Sequence, residues 1–129
     1  MKKITFLAIF VLILTALAAC GGPSNTNTSA SSTYTVMMSG VTFSTSSITI
    51  PKGSTITFTS EQGSTAHNLV NGSDGQSHTE SGAPSFGSGG QTIGAGQSWT
   101  TGPWNTAGTF HVTCTYHPTT MTLTVTVTG

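Results

Sequence analysis

Four stretches of the chain alternate apolar residues with hydroxyl-bearing or other polar ones at a period of two. Met121-Thr122-Leu123-Thr124-Val125-Thr126-Val127-Thr128 does so without a break. Thr55-Ile56-Thr57-Phe58-Thr59, Ser47-Ile48-Thr49-Ile50 and Thr109-Phe110-His111-Val112-Thr113-Cys114 follow the same rule. Successive side chains of a strand point to opposite faces, so the pattern predicts strands with one buried and one wet face. Threonine suits the wet face because it is β-branched and polar, and it solvates the strand without charge. Strand signals run from Tyr34 onward, with Pro51-Lys52-Gly53 and Ala107-Gly108 read as turns. No segment carries a helical period. The fold class predicted is all-β, an antiparallel β-sandwich or barrel.

Two regions fall outside this pattern. Lys2 and Lys3 precede an apolar run from Ile4 to Ala19. A membrane span needs about 20 apolar residues, and this run is shorter, with the small-residue ending of a secretory signal. Leu17-Ala18-Ala19-Cys20 resembles the bacterial lipobox, in which the cysteine becomes the lipidated first residue of the mature protein. The competing reading is an ordinary cleaved signal that contains a cysteine. A diacyl anchor carries two chains, enough for stable attachment. Gly21 to Thr33, rich in Gly, Ser, Asn and Thr, reads as a tether. The expected organisation is a signal over 1–19, a lipidated Cys20 and linker over 20–33, and one folded domain over 34–129. The product would be an exported lipoprotein at the periplasmic or extracellular face of the cell membrane. The second exception is Asn71 to Gly96, a Gly- and Ser-rich stretch that reads as a long loop, either functional or disordered.

Charge narrows the function. Charged residues make up 5% of the chain, against about a quarter in ordinary domains. Without the signal only Lys52 remains as a cation, facing Glu61, Asp74 and Glu80. With no basic patch to neutralise phosphates, nucleic-acid binding is excluded. A partner would have to be met through apolar and hydroxyl surface. Exported proteins commonly pair their cysteines. If Cys20 is lipidated, Cys114 is left alone, and metal ligation supplies a reason to keep it.

Cys114-Thr115-Tyr116-His117-Pro118-Thr119-Thr120-Met121 is the informative segment. A thiolate, an imidazole and a thioether lie close together where one strand ends and the next begins, so one turn can aim all three at a point. His67, in the loop after the Thr55–Thr59 strand, is the best candidate for a fourth donor. Two imidazoles, one thiolate and a weak axial thioether form the blue-copper ligand set. The soft sulfurs hold Cu(I) and the imidazoles accept both oxidation states, so one electron can come and go with little rearrangement.

On these residues the chain resembles the cupredoxin family, its plastocyanin and amicyanin branch in particular. The resemblance spans Tyr34 to Gly129. His67-Asn68 matches the upstream His-Asn pair, and Cys114-x-x-His117 followed by three residues and Met121 matches the downstream ligand loop. Ala107-Gly108-Thr109-Phe110 resembles the run that leads into the ligand cysteine. The resemblance implies a Greek-key sandwich, one mononuclear copper held by His67, Cys114, His117 and Met121, and an electron-carrier role. His117 would be the exit point for the electron, and the partners would be redox proteins of an electron-transfer chain. It also implies that Asn68 bonds across to the loop near Thr115 while its backbone approaches the Cys114 sulfur. The long segment over 71–96 departs from the family pattern.

Each residue has a plainer reading. Cys114 could be a buried structural thiol, Met121 the first core residue of the last strand, and His67 a surface loop residue. His111 lies on the opposite strand face from Phe110, Val112 and Cys114, so it is read as a surface residue and not a ligand. His78, near Asp74 and Glu80, is read as a solvated loop residue. Of the adjacent Met37 and Met38, one should face the core; Trp99 and Trp104 are read as core or rim aromatics. No catalytic constellation stands out, so the domain is expected to be a carrier, a monomer and not an enzyme. One alternative is a copper-binding module for sequestration or delivery. Another is a structural or adhesive sandwich without metal.

Overall fold

The computed structural model describes residues 31–129. The expected signal over 1–19, the expected lipidation site at Cys20 and most of the expected tether lie outside those residues. The tether boundary shifts slightly. Ser31 Oγ donates to the Gly53 carbonyl at 2.8 Å, the Thr55 N–H donates to the Ser32 carbonyl at 2.9 Å, and Thr33 opens the first strand. The folded unit therefore begins no later than Ser31.

The strands are β1 (Thr33–Ser39), β2 (Thr42–Phe43), β3 (Ser47–Pro51), β4 (Thr55–Ser60), β5 (His67–Ser73), β6 (Gln76–Ser77), β7 (Gln91–Ile93), β8 (Ser98–Thr100), β9 (Gly108–Cys114) and β10 (Thr122–Thr128). They form a four-stranded sheet in the order β2-β1-β4-β8. A six-stranded sheet runs β3-β10-β9-β5-β6, with β7 also on β5. The two sheets face one another across one core. The expected all-β sandwich is present, and its two sheets are mixed in strand direction. β1 runs parallel to β4, from Thr33↔Thr55 to Met38↔Ser60, and β10 runs parallel to β3, from Thr124↔Ser47 to Thr128↔Pro51. The chain leaves β1 for the other sheet at β3 and returns at β4, and such a crossover delivers a parallel neighbour. Alternation at period two is the same for either pairing, so the sequence pattern is blind to it.

The alternating residues divide as their parity requires. Ile56 and Phe58, Leu123, Val125 and Val127, and Phe110, Val112 and Cys114 are buried. Met38 is buried and Met37 is only partly so. Trp104 is fully buried, with its ring 5.5 Å from Phe110; Trp99 is half-buried at the rim, 5.0 Å from Phe86. Each such side chain contributes about 1.5–3 kcal/mol on burial. On the wet face of the four-stranded sheet, hydroxyls pair across strands: Thr57 with Thr100 at 2.8 Å, Thr59 with Ser98 at 2.9 Å, and Thr33 with Thr55 at 3.0 Å.

Segment 71–96 is not the structureless loop that its composition suggested. It completes β5, forms β6 and β7, and sends Phe86 and Ile93 into the core. It also corrects the reading of His111 as a plain surface residue. His111 does point away from the core, but it is half-buried, with Nδ1 2.9 Å from Glu80 Oε1, and its backbone N–H donates to the same carboxylate. His78 is exposed, its Nε2 3.5 Å from Ser73 Oγ. Both faces of β5 are buried over His67–Val70. The segment leaves a groove of about 430 Å³ lined by Asn71, His78, Glu80, Phe86 and Thr115 among others.

Candidate metal centre

Cys114 is the last residue of β9 and takes the inward parity of Phe110 and Val112; its thiol is fully buried. The β5–β9 ladder sets Leu69 opposite Cys114. His67 lies two residues before Leu69, so it shares the inward face and projects past the end of β9. It is the first residue of β5 rather than a loop residue, and it too is fully buried.

The third group comes from the turn between β9 and β10. The His117 N–H donates to the Cys114 carbonyl at 3.3 Å, and the His117 carbonyl accepts from the N–H groups of Thr120 at 3.3 Å and Met121 at 3.2 Å. The Cys114 N–H closes the turn on the Met121 carbonyl at 3.0 Å. These bonds fold His117 back on Cys114. The Cys114 Sγ lies 3.5 Å from His117 Nδ1 and 3.9 Å from His67 Nδ1. One ligand atom from each of the three residues lies within 4.8 Å of the others, and the two imidazole rings are 5.3 Å apart. Met121 is fully buried beside them in sequence, its backbone bonded to both Cys114 and His117. Among the described residues this is the one group of histidines, cysteines and acids close enough to hold an ion, and His78 and His111 take no part.

The imidazoles present the same nitrogen for a physical reason. Thr65 Oγ1 donates its single proton to the Gly40 carbonyl at 3.1 Å and stands 3.4 Å from His117 Nε2. That hydroxyl is then placed to accept from His117, which suits the tautomer with its proton on Nε2 and the lone pair of Nδ1 towards the thiol. Ser64 Oγ, 3.4 Å from His67 Nε2, can do the same there. The pKa of His67 is lowered, first by burial and then by the charge of neighbouring His117. A neutral imidazole is the form that binds a metal.

Asn68 ties the two ligand-bearing stretches together. Its Nδ2 donates to Thr115 Oγ1 at 3.0 Å, and its carbonyl accepts from the Thr115 N–H at 2.9 Å. The bond towards Thr115 is the one the resemblance implied. Sequence reasoning missed Thr113, which is buried despite its outward parity and donates through Oγ1 to the Met121 carbonyl at 2.9 Å. It also missed Ser64 and Thr65. Their one signal was position, directly ahead of His67 in a chain otherwise full of hydroxyls.

Residues 30–128 match the family model of copper binding proteins of the plastocyanin/azurin family. The chain belongs to that family. This cupredoxin is similar in fold to amicyanin from Paracoccus versutus (Thiobacillus versutus), at 21% identity and a TM-score of 0.56 over 74% of this chain and 81% of the other. A reduced Cu(I) form of an amicyanin variant at pH 4 gives 20% identity and a TM-score of 0.58 over 74% of this chain and 82% of the other. A purple cupredoxin from Nitrosopumilus maritimus gives 19% identity and a TM-score of 0.56 over 74% and 99%. No curated protein matches the chain in sequence. The cofactor of this cupredoxin is copper, and the donor set fits it: a thiolate, two Nδ1 nitrogens and a buried thioether match copper's mixed preference.

Proposed function

We propose that this cupredoxin is an extracytoplasmic electron carrier, in which His67 Nδ1, Cys114 Sγ, His117 Nδ1 and the Met121 thioether would hold copper. The observation that carries the reading is the convergence of one thiol and two Nδ1 atoms within 4.8 Å. Bound copper would supply a one-electron couple, Cu(II)/Cu(I). The protein's part is to keep the donors fixed, so that a change of charge costs little rearrangement.

Exposure favours a carrier over a delivery module. His67, Cys114 and Met121 are fully buried, which suits retention of a metal rather than its hand-over. His117 is half-buried, and Tyr116 beside it is 56% exposed. Val41, 42% exposed, lies against the same turn through the Thr120 Oγ1 bond to its carbonyl at 2.7 Å. An electron would leave by His117 to a redox protein docked on this uncharged, apolar and hydroxyl surface. The domain would act as a monomer without catalytic activity, exported by the segment over 1–19 and anchored in the membrane through a lipidated Cys20.

Copper titration followed by visible absorption tests the reading. The expected result is a strong blue thiolate-to-copper band that saturates at one copper per domain and bleaches reversibly on reduction. A colourless site that takes only Cu(I) would support sequestration or delivery instead.

A further inference from the structure

We infer that segment 71–96 is a two-point brace of the ligand loop, acting through Gly75 at one end and Gly89, Gly90 and Thr92 at the other, and that it positions the copper ligands. The inference rests on the copper reading above.

The first contact is at the β5–β6 turn. The Gly75 N–H donates to Thr113 Oγ1 at 2.9 Å, and that hydroxyl donates on to the Met121 carbonyl at 2.9 Å. A Cβ on Gly75 would stand 2.2 Å from Pro118 Cβ and 2.8 Å from Pro118 Cα, so the turn lies directly against the residue after His117. Gly75 also has φ +71°, which other residues rarely adopt. The second contact is at Asn68. Its Nδ2 donates to the Gly89 carbonyl at 3.0 Å as well as to Thr115, and its Oδ1 accepts from Thr92 Oγ1 at 3.3 Å. A Cβ on Gly90 would meet both side-chain atoms of that amide at 2.8 Å. The segment thus takes the second Nδ2 proton of Asn68 and bonds its Oδ1, at the group that links His67 to the residue after Cys114, while its other end presses on the turn that carries His117 and Met121. Groups that hold ligands in place govern a metal's affinity and potential.

The test compares Gly75→Ala, Thr92→Val and Thr92→Ser with wild type, using exposed Ser81→Ala as the control. Thr92 is exposed, so loss of its hydroxyl leaves the fold intact. Gly75→Ala should weaken copper binding roughly 10- to 100-fold, and Thr92→Val about threefold to tenfold. Thr92→Ser and Ser81→Ala should match wild type. Where Cu(II) and Cu(I) lose affinity unequally, the potential moves by about 59 mV per tenfold inequality. In the metal-free protein, hydrogen exchange at the Thr115 and His117 amides should accelerate in Gly75→Ala and Thr92→Val alone. Unchanged affinity, potential and exchange in both variants, with only a lower melting temperature, would overturn the inference and leave the segment a mere cover. If wild type shows no blue site, the copper reading fails, and the metal-free exchange rates still decide whether the brace exists.

Discussion

The body of the sandwich and the end that carries His67, Cys114 and His117 are held together by different means. In the body, β4, β9 and β10 bury an apolar residue at every second position, and hydroxyl pairs such as Thr57 with Thr100 cover the outside. Many residues share that task, and each is replaceable by another of similar size. At the metal end the work falls on single hydrogen bonds: Thr65 to Gly40, Asn68 to Thr115, Thr113 to Met121. There one atom moved alters the donors. Damage to the body should therefore appear as lost stability, and damage to the end as altered metal chemistry.

The sharpest way to break that division is Cys114→Ala. Loss of the thiolate should abolish the blue absorption entirely while the circular dichroism of the sheets stays unchanged. Loss of the sheet signal as well would mean that the thiol is chiefly a core residue. Next in size is Phe58→Ala in the body. Its buried ring lies 5.9 Å from Phe43 and 6.1 Å from Phe86, and its removal should cost about 3–5 kcal/mol in denaturant melts. The spectrum of the folded, copper-loaded fraction should not move.

How far the sequence foretold each region follows the same division. Thr122 to Thr128 could be read strand by strand because alternation reports burial directly, and Cys114-x-x-His117 could be read because the turn makes short-range neighbours of its ligands. What alternation could not report was direction, hence the parallel pairs β1–β4 and β3–β10. Segment 71–96 was opaque because glycine and serine carry no periodic signal. Its order rests on long-range contacts, such as Glu80 with His111 and Gly89 with Asn68, which have no trace in local composition. Thr113 was misjudged for the same reason, since its outward face is covered by that segment.

Acidity gives a smaller effect that sharpens the comparison. Burial lowers the pKa of His67, so the unfolded chain takes up the proton more readily than the folded one. The stability of the metal-free domain should be complete above the ordinary histidine pKa of about 6.5 and should fall as the pH drops below it. In His67→Gln, this histidine's share of that fall should disappear; an unchanged pH profile would show that His67 does not contribute to it. Smallest of all is Thr59→Ala, which removes one hydroxyl from the pair with Ser98 on the wet face. It should cost about 0.2–1 kcal/mol in thermal or denaturant unfolding and leave copper binding untouched.

X-ray absorption at the copper edge of the loaded wild-type domain asks the central question without a mutation. The account predicts two imidazole nitrogens and one thiolate sulfur at bonding distance, with a more distant thioether. A shell of oxygen and nitrogen alone would contradict it.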